Sequence, residues 1–408
     1  MGISVDVRTR DEGPVEPVDP VAFFSVMLPE AFARNGLLAL PGARELAPRP
    51  LAVRVDGVAA WTMALGEREL TVSWGVAEGA AEVVLNEEDL TDLVHDVLTP
   101  MGIFTAGRLD MPHGRLEDFL DWWVLLRSTL DGRPVYTSGS VQFRDRDGSP
   151  LDLNHSFTPD DNDEDLAHFL GEAGYLHVAG LFTEAEMAQI SADIDAAVPA
   201  YTPDDGRSWW ARTAAGEHRA VRLQGFHEHS PTTRALLDDP RFLRIGQLTT
   251  DGHRRGERHL GWNIVEALIK PIGVVEGISD VPWHKDCSLG RHSYRCCSLT
   301  VGISVTGADA RCGQLRVVAG SHRALIQPAF VRKGLDLPLI DLPTKAGDVT
   351  VHLSCTMHMS EPPVDAERRV LYTGFDLSPR GWVDDAALAK IGKIREAAYK
   401  TVSQQPAG

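Results

Sequence analysis

Cysteine is scarce in this chain, and its spacing matches neither a metal-binding nor a disulfide pattern. The 408 residues include five cysteines, all after Asp286, and no two form a C-x-x-C pair. This spacing excludes a disulfide framework and argues against a cysteine-based zinc site, while the odd number is typical of reduced thiols. The adjacent Cys296 and Cys297 would point to opposite faces of a strand, so we expect both to be small packing residues.

Long apolar runs and positive charge are also lacking. No stretch of about 18 apolar residues occurs, so no membrane span is predicted, and the charged N-terminus has no apolar signal core. The formal net charge is −18, and a surface this acidic would repel phosphate backbones. We therefore predict a cytoplasmic protein that binds no nucleic acid, and the sequence leaves its oligomeric state open.

The chain has enough length and apolar content for two folded units. A length of 408 residues exceeds that of a typical single domain, and a hydrophobic content of 43% is sufficient for real cores. Between the two patterned regions lies a stretch rich in Asp, Ser, Pro and Gly. The sequence predicts a flexible leader (1–19), an α+β domain (20–136), a linker (137–163), a second domain (164–380) and a C-terminal helix and tail (381–408).

Two histidines and an aspartate in the second domain have the spacing of a metal site. His284 and Asp286 are two residues apart, so both side chains would leave the same face of an extended segment. His358 follows 72 residues after Asp286. Two imidazoles and one carboxylate form the facial triad that holds non-heme Fe(II) and leaves open coordination positions. An H-x-D pair by itself is a weak signal, so its surroundings decide its meaning.

Alternating apolar residues surround these three candidate ligands. Residues 297–305 and 349–353 alternate between apolar side chains and polar or small ones, and residues 370–375 resemble another strand. A period of two is typical of strands with one face in an apolar core. Candidate ligands spread over several short strands with Gly-rich turns predict a double-stranded β-helix, the jelly roll of the cupin kind, with flanking helices.

Five short motifs lie between Asp163 and Leu377. They are H-K-D at His284–Asp286, G-Q-L-R-V-V-A-G-S-H at Gly313–His322, G-D-V at Gly347–Val349, H-M-S at His358–Ser360 and an arginine at position 369. Together they resemble the phytanoyl-CoA dioxygenase family of Fe(II)/2-oxoglutarate oxygenases. The resemblance implies that His284, Asp286 and His358 are the catalytic metal ligands. It also implies that Arg369 and Ser360 bind the distal carboxylate of 2-oxoglutarate, which suits a guanidinium fork.

The same resemblance implies an enzyme that uses Fe(II), 2-oxoglutarate and O2 to hydroxylate or otherwise oxidise an unactivated C–H bond of a small molecule. Asp286 favours oxygenation, because related halogenases have a small residue there and open a halide site. The alternatives are a non-enzymatic lipid carrier with a degenerate oxygenase domain and a cupin-type enzyme without 2-oxoglutarate; the triad with Arg369 argues against both. Arg368 is a second choice for Arg369, but strand alternation lets only one point inward, and the family spacing favours Arg369.

Short alternating strands and helices are predicted between Val21 and Arg133. Strands are expected over 50–57, 59–75 and 80–90, and helices over 86–97 and 116–130. This pattern resembles the sterol-carrier-protein lipid-binding fold, which implies an apolar tunnel and a hydrophobic substrate such as a lipid or secondary metabolite. Such a tunnel would be lined by Trp61, Phe104, Phe119 and Trp122. The alternative is a filled pocket, which would leave a domain that only buttresses the oxygenase or forms a dimer.

Other conspicuous residues of the second domain are assigned structural roles. His352 is expected to be a buried strand histidine, and it is the next candidate ligand should His358 not be one. Residues 201–219 are predicted to form an irregular loop beside the jelly-roll mouth, a common place for a lid. Within that loop, Trp209 and Trp210 are expected to pack rather than to contact a substrate.

Overall fold

The computed structural model describes residues 15–203, 205–249, 254–255, 265–277, 282–289, 298–329, 331–332 and 334–376. The predictions for Cys296, Cys297, most of the leader, and the C-terminal helix and tail lie outside the described residues. In the described ranges, no helix combines the length and apolar character needed to cross a membrane. The cytoplasmic location and the domain boundaries stay predictions.

Residues 20–131 form a five-stranded sheet and its helices. The helices are α1 (Pro20–Ala22), a π-helical turn (Phe23–Met27), α2 (Leu28–Leu46), α3 (Glu87–Val94), α4 (Pro100–Thr105) and α5 (Leu116–Asp131). The strands are β1 (Leu51–Val55), β2 (Ala59–Leu65), β3 (Leu70–Trp74), β4 (Ala81–Leu85) and β5 (Asp110–His113), in the order β3-β2-β1-β4-β5. Asn86 and Thr99 cap α3 and α4 by accepting a backbone N–H, which stabilises the helix starts.

The predicted helices of this unit correspond to α3 and α5, whereas the single strand predicted over 59–75 is two strands. A backbone hydrogen bond of 2.9 Å from Gly66 N to Glu69 O closes the turn between β2 and β3. Three of the four residues expected to line a tunnel are packed in the core instead: Trp61, Phe119 and Trp122 are at most 2% exposed. Phe104 is 38% exposed. Trp61, Phe119 and Trp122 therefore belong to the packed core of this unit.

In the second unit, the helices lie before residue 248 and most of the strands follow them. The helices are α6 (Asp163–Ala173), α7 (Glu184–Ala197), α8 (Pro231–Leu237) and α9 (Pro240–Gln247), with 3-10 turns at Val198–Ala200, Phe226–Glu228 and Asp286–Leu289. The strands are β6 (Tyr175–Val178), β7 (Ser208–Thr213), β8 (His218–Gln224), β9 (Arg254–Arg255), β10 (Glu266–Lys270), β11 (Val274–Glu276), β12 (Leu299–Ser304), β13 (Leu315–Val318), β14 (Leu339–Leu342), β15 (Val349–Leu353), β16 (His358–Ser360) and β17 (Arg368–Asp376).

The described strands of this unit form two sheets. The larger sheet has the order β11-β7-β8-β10-β17-β12-β15-β6, with β9 paired to β17, and the smaller has the order β14-β13-β16. Apolar residues on one face of the larger sheet, such as Val301 and Val351, share a core with Ile190 and Ile194 of α7. The alternate residues of the same strands are polar or small, as the sequence pattern predicts, and Thr300 and His352 are among them. This arrangement agrees with the predicted jelly roll.

The prediction of an irregular loop over residues 201–219 is wrong for most of that range. Strands β7 and β8 pair as an antiparallel hairpin, with Trp209 opposite Arg222 and a register shift between Trp209 and Trp210. The extra residue of this bulge is Val221 of β8. Trp209 also lies under the Arg222 guanidinium, 4.3 Å from ring centroid to Cζ.

A bridging segment (residues 320–329 and 331–332) connects the two units. Leu325 is buried in the core of the N-terminal unit. Gln327 and Arg332 both bond the carboxylate of Asp121 on α5. Burial raises the pKa of Asp121 to about 6, although Arg332 and Gln327 act in the opposite direction. At its other end the segment accepts a hydrogen bond of 2.8 Å from Lys285 Nζ at Ser321 O, next to the candidate metal ligands.

Gly347, in the predicted G-D-V motif, occupies a position that only glycine fits. Its φ is +91°, and a Cβ there would lie 2.1 Å from the carbonyl oxygen of Phe182. We expect Gly347→Ala to lower the free energy of unfolding by more than the roughly 1–3 kcal/mol of backbone strain alone, measured by urea denaturation. Gly148→Ala is the matched control, because its φ is +86° and a Cβ would have open space. Equal losses of unfolding free energy in both variants would show that the contact with Phe182 does not affect stability.

Candidate metal centre

A backbone pair brings two distant histidines together. His284 N donates to His358 O at 3.0 Å, and His358 N donates to His284 O at 2.9 Å. This isolated antiparallel bridge extends the edge of the small sheet, where His358 begins β16. Because directly opposed residues of an antiparallel pair project from the same face, the two imidazoles face each other, with centroids 4.2 Å apart.

The three ligands predicted from the sequence converge on one point. One ligand atom from each of His284, Asp286 and His358 lies within 4.8 Å of the other two. Asp286 Oδ1 is 3.3 Å from His284 Nε2 and 3.6 Å from His358 Nε2. The other ring nitrogens are already bonded, since His284 Nδ1 is 2.7 Å from Pro282 O and His358 Nδ1 is 3.0 Å from Thr356 O. An Nδ1–H that donates to a carbonyl leaves the Nε2 lone pair directed at a metal.

The electrostatics of the cluster match the protonation states that metal ligands need. Desolvation raises the pKa of Asp286, but the neighbouring His358, His284 and His352 outweigh it, so this pKa lies well below its usual range. Burial lowers the pKa of His358, and the neighbouring His352 and His284 lower it further. An anionic Asp286 carboxylate and a neutral His358 imidazole are the deprotonated forms in which these groups bind a metal. The residues therefore fit an Fe(II) ion held by two histidines and one carboxylate.

Next to this cluster lies a cationic pocket, formed by Lys270, Ser360 and Arg368. Ser360 follows His358 by two residues on β16, so the two side chains share a face and lie about 7 Å apart along the strand. Arg368 Nη1 donates to Ser360 Oγ at 3.0 Å, and Lys270 Nζ donates to the same oxygen at 2.5 Å. Lys270 and Arg368 are directly opposite each other on β10 and β17 and are buried. Arg368 Nε is also buried, without a hydrogen-bond partner in the described part of the chain.

Arg369, predicted to bind the 2-oxoglutarate carboxylate, lies outside this pocket. Its guanidinium bonds Asp195 at 2.7 Å and Ser191 at 3.0 Å, both on α7, and Glu367 at 2.9 Å. Consecutive residues on a strand point to opposite faces, and β17 directs Arg368 inward. Arg368, the second choice from the sequence, therefore lies beside Ser360, whereas Arg369 faces α7; the roles of Arg369 and Ser360 toward 2-oxoglutarate stay predictions.

Two polar residues surround the outer oxygen of Asp286. Thr300 Oγ1 donates to Asp286 Oδ2 at 2.8 Å, and His352 Nε2 lies 3.4 Å from the same atom. His352 is buried, as expected, but it is not one of the three residues whose ligand atoms converge. Sequence reasoning missed Thr300 and Lys270, because each reaches the site through strand pairing rather than through a local motif.

Comparison with known proteins supports the family resemblance. Residues 170–370 match the family phytanoyl-CoA dioxygenase (PhyH). No curated protein matches the chain significantly. Together with the His–Asp–His cluster, the family match confirms the predicted cofactors, Fe(II), 2-oxoglutarate and O2.

Several solved structures are similar at low identity. The epimerase SnoN, in complex with Fe3+, alpha ketoglutarate and nogalamycin RO, is 20% identical, with 54% of this chain and 86% of that chain covered and a TM-score of 0.40. EctD from S. alaskensis, with 2-oxoglutarate and 5-hydroxyectoine, is 19% identical, with 61% and 92% covered and a TM-score of 0.43. EvdO2 from Micromonospora carbonacea var. aurantiaca, complexed with 2-oxoglutarate, is 19% identical, with 53% and 91% covered and a TM-score of 0.38.

Proposed function

We propose that this chain is an Fe(II)- and 2-oxoglutarate-dependent oxygenase whose chemistry is carried out by the region of residues 170–370 that matches the phytanoyl-CoA dioxygenase family. The convergence of His284, Asp286 and His358, with both histidine Nε2 atoms free to face a metal, is the observation that carries this proposal. With 2-oxoglutarate and O2, bound Fe(II) supplies the oxidation of an unactivated C–H bond. The protein's own residues hold the metal, orient the cosubstrate and position the substrate carbon.

In this proposal, 2-oxoglutarate lies between the metal cluster and the cationic pocket. Its keto acid end faces the three ligands, and its distal carboxylate binds Ser360, Arg368 and Lys270. The separation of about 7 Å between His358 and Ser360 along β16 suits a five-carbon dicarboxylate. Like charges directly opposite each other on neighbouring strands are destabilising, so an anion between Lys270 and Arg368 would relieve their repulsion. Arg368 Nε, which has no partner among the described residues, offers the further donor of a bidentate contact.

Hydroxylation is the reaction we favour for the metal site. Asp286 supplies a carboxylate ligand, so no halide position is opened at that residue. The substrate is a small molecule, and it would approach along the face of the larger sheet that carries Thr300 and His352. Arg222, Gln224 and Glu266 lie on that face, where Glu266 is 3.0 Å from both Arg222 Nε and Gln224 Nε2. A hydrophobic substrate stays a prediction from the N-terminal resemblance.

For the N-terminal unit we favour a supporting role over lipid transport. Trp61 stacks on Phe24 with centroids 4.8 Å apart, and Trp122 Nε1 donates to Arg49 O at 2.7 Å. Side chains packed in this way would have to move before a lipid could enter. The sterol-carrier resemblance therefore stays a prediction about fold, and the non-enzymatic lipid carrier is the weaker alternative. Binding of a fluorescent fatty acid to the full chain would reverse this preference.

Anaerobic titration tests the proposed cofactors most directly. Adding Fe(II) and then 2-oxoglutarate to the metal-free protein should produce the visible charge-transfer band of a chelated keto acid at one equivalent of each. The matched control is succinate in place of 2-oxoglutarate, because it carries both carboxylates but no keto group. Iron binding without the charge-transfer band would favour the alternative, a cupin-type enzyme that needs no 2-oxoglutarate.

A further inference from the structure

His352 occupies an unusual place for a buried strand histidine. It is fully buried on β15, and its ring centroid is 4.1 Å from that of His358. Its Nε2 approaches Asp286 Oδ2 at 3.4 Å, so it contacts two of the three proposed ligands without belonging to the cluster itself. Its Nδ1 is buried and has no hydrogen-bond partner among the described residues.

The contact with Asp286 is on the side of the carboxylate away from the two histidines. Asp286 Oδ1 faces His284 and His358, whereas Oδ2 accepts a hydrogen bond from Thr300 at 2.8 Å and faces His352. The terminal torsion of an aspartate is broad and roughly two-fold, so the side chain alone does not determine which oxygen faces the metal. With a proton on His352 Nε2, Oδ2 has two donors, and rotation of the carboxylate would break both contacts.

A purely structural role does not account for a histidine here. An unpaired buried nitrogen costs stability, and an apolar ring would fill the same space against His358 without that cost. A histidine at this position is explained if its Nε2–H donates to the Asp286 carboxylate. In that tautomer Nδ1 carries no proton, so no buried N–H is left without an acceptor.

We propose that His352 is a positioning residue for the metal centre, which together with Thr300 holds Asp286 Oδ2 so that Oδ1 stays directed at the metal. This inference rests on the proposed function, because it assumes that Asp286 is a metal ligand. Outer partners of this kind commonly contribute 10–100-fold to metal affinity in other proteins. His352 would act on affinity and on coordination geometry, not as a fourth ligand.

Titration of the metal-free full-length chain with Co(II) tests this role, read by affinity and by the visible absorption of the bound ion. His352→Phe keeps a ring against His358 but removes the donor, and we expect about 10-fold or weaker Co(II) affinity with an altered spectrum. His352→Gln places an N–H close to the position of Nε2 and should recover most of the affinity and the original spectrum. Thr300→Val should weaken binding in the same direction, because it removes the other donor to Oδ2.

His177→Phe is the matched control, since His177 is a buried histidine on the neighbouring strand that bonds Asp348 and Ser156 rather than the cluster. Its affinity and spectrum should match those of the wild type. Wild-type affinity and spectrum in His352→Phe would overturn the positioning role alone. Equal loss in His352→Gln and His352→Phe, with a change in coordination number, would make His352 a direct ligand. A wild-type chain that binds no Co(II) would overturn the proposed function as well.

Discussion

Replacing His358 with alanine is expected to abolish metal binding and 2-oxoglutarate turnover while leaving the chain folded. The imidazole supplies one of three ligand atoms, and its loss leaves two, so the effect should exceed the 10–100-fold typical of changes in outer partners. Metal content after anaerobic loading and succinate formation measure the two losses. Alanine at His284 or Asp286 should behave in the same way, because the three residues form a single cluster.

His322→Ala is the matched control for this prediction. His322 is also buried, and its Nε2 bonds Gly171 O at 2.9 Å, away from the cluster. The His322→Ala variant should bind the metal as the wild type does, even if its thermal stability falls. Full iron binding and turnover in His358→Ala would refute the ligand assignment, and His352 would then become the third ligand to test.

The second large effect concerns two adjacent arginines. Arg368→Ala should weaken 2-oxoglutarate binding by roughly 10²-fold or more, the usual consequence of losing a charge-assisted contact worth a few kcal/mol, with little change in iron affinity. Arg369→Ala should bind 2-oxoglutarate as the wild type does, because its guanidinium bonds α7 on the opposite face of the sheet. The intensity of the charge-transfer band as a function of 2-oxoglutarate concentration measures both affinities.

Each arginine serves as the control for the other, since the two variants remove the same group from neighbouring positions. Arg368→Lys should recover only part of the affinity, because an ammonium is a point charge and not a fork. The reverse result, with a large loss in Arg369→Ala and none in Arg368→Ala, would reinstate the assignment derived from family spacing.

This pair of residues also marks the limit of what the sequence could predict. Alternation along β12 and β15 located the strands, and the spacing of His284, Asp286 and His358 located the cluster. The choice between Arg368 and Arg369 depends on strand register, because a shift of one residue exchanges the two faces. The family spacing is counted from His358 across the turn between β16 and β17, and the length of that turn is not fixed. The count therefore pointed to Arg369, which faces outward.

The rest of the site depends on pairing between distant parts of the chain. Lys270 reaches the cationic pocket because β10 lies beside β17, and Thr300 of β12 reaches Asp286 of the 3-10 turn through a side-chain hydrogen bond. Neither residue has a local signature, so no window of sequence reveals it. The hairpin β7–β8 was missed for a local reason, since the β7 sequence Ser-Trp-Trp-Ala-Arg-Thr does not alternate cleanly between apolar and polar residues.

The bridging segment has a consequence for the order in which the molecule assembles. Asp121 and Arg332 are separated by 211 positions along the chain, and their contact can form only after that long loop closes. Contacts of such high sequence separation form slowly, because the loss of chain entropy precedes the gain from packing. The same segment accepts the hydrogen bond from Lys285, which stands between His284 and Asp286. We therefore expect completion of the metal centre to depend on docking of the N-terminal unit, so during refolding the ability to bind metal should return later than the bulk of the secondary structure.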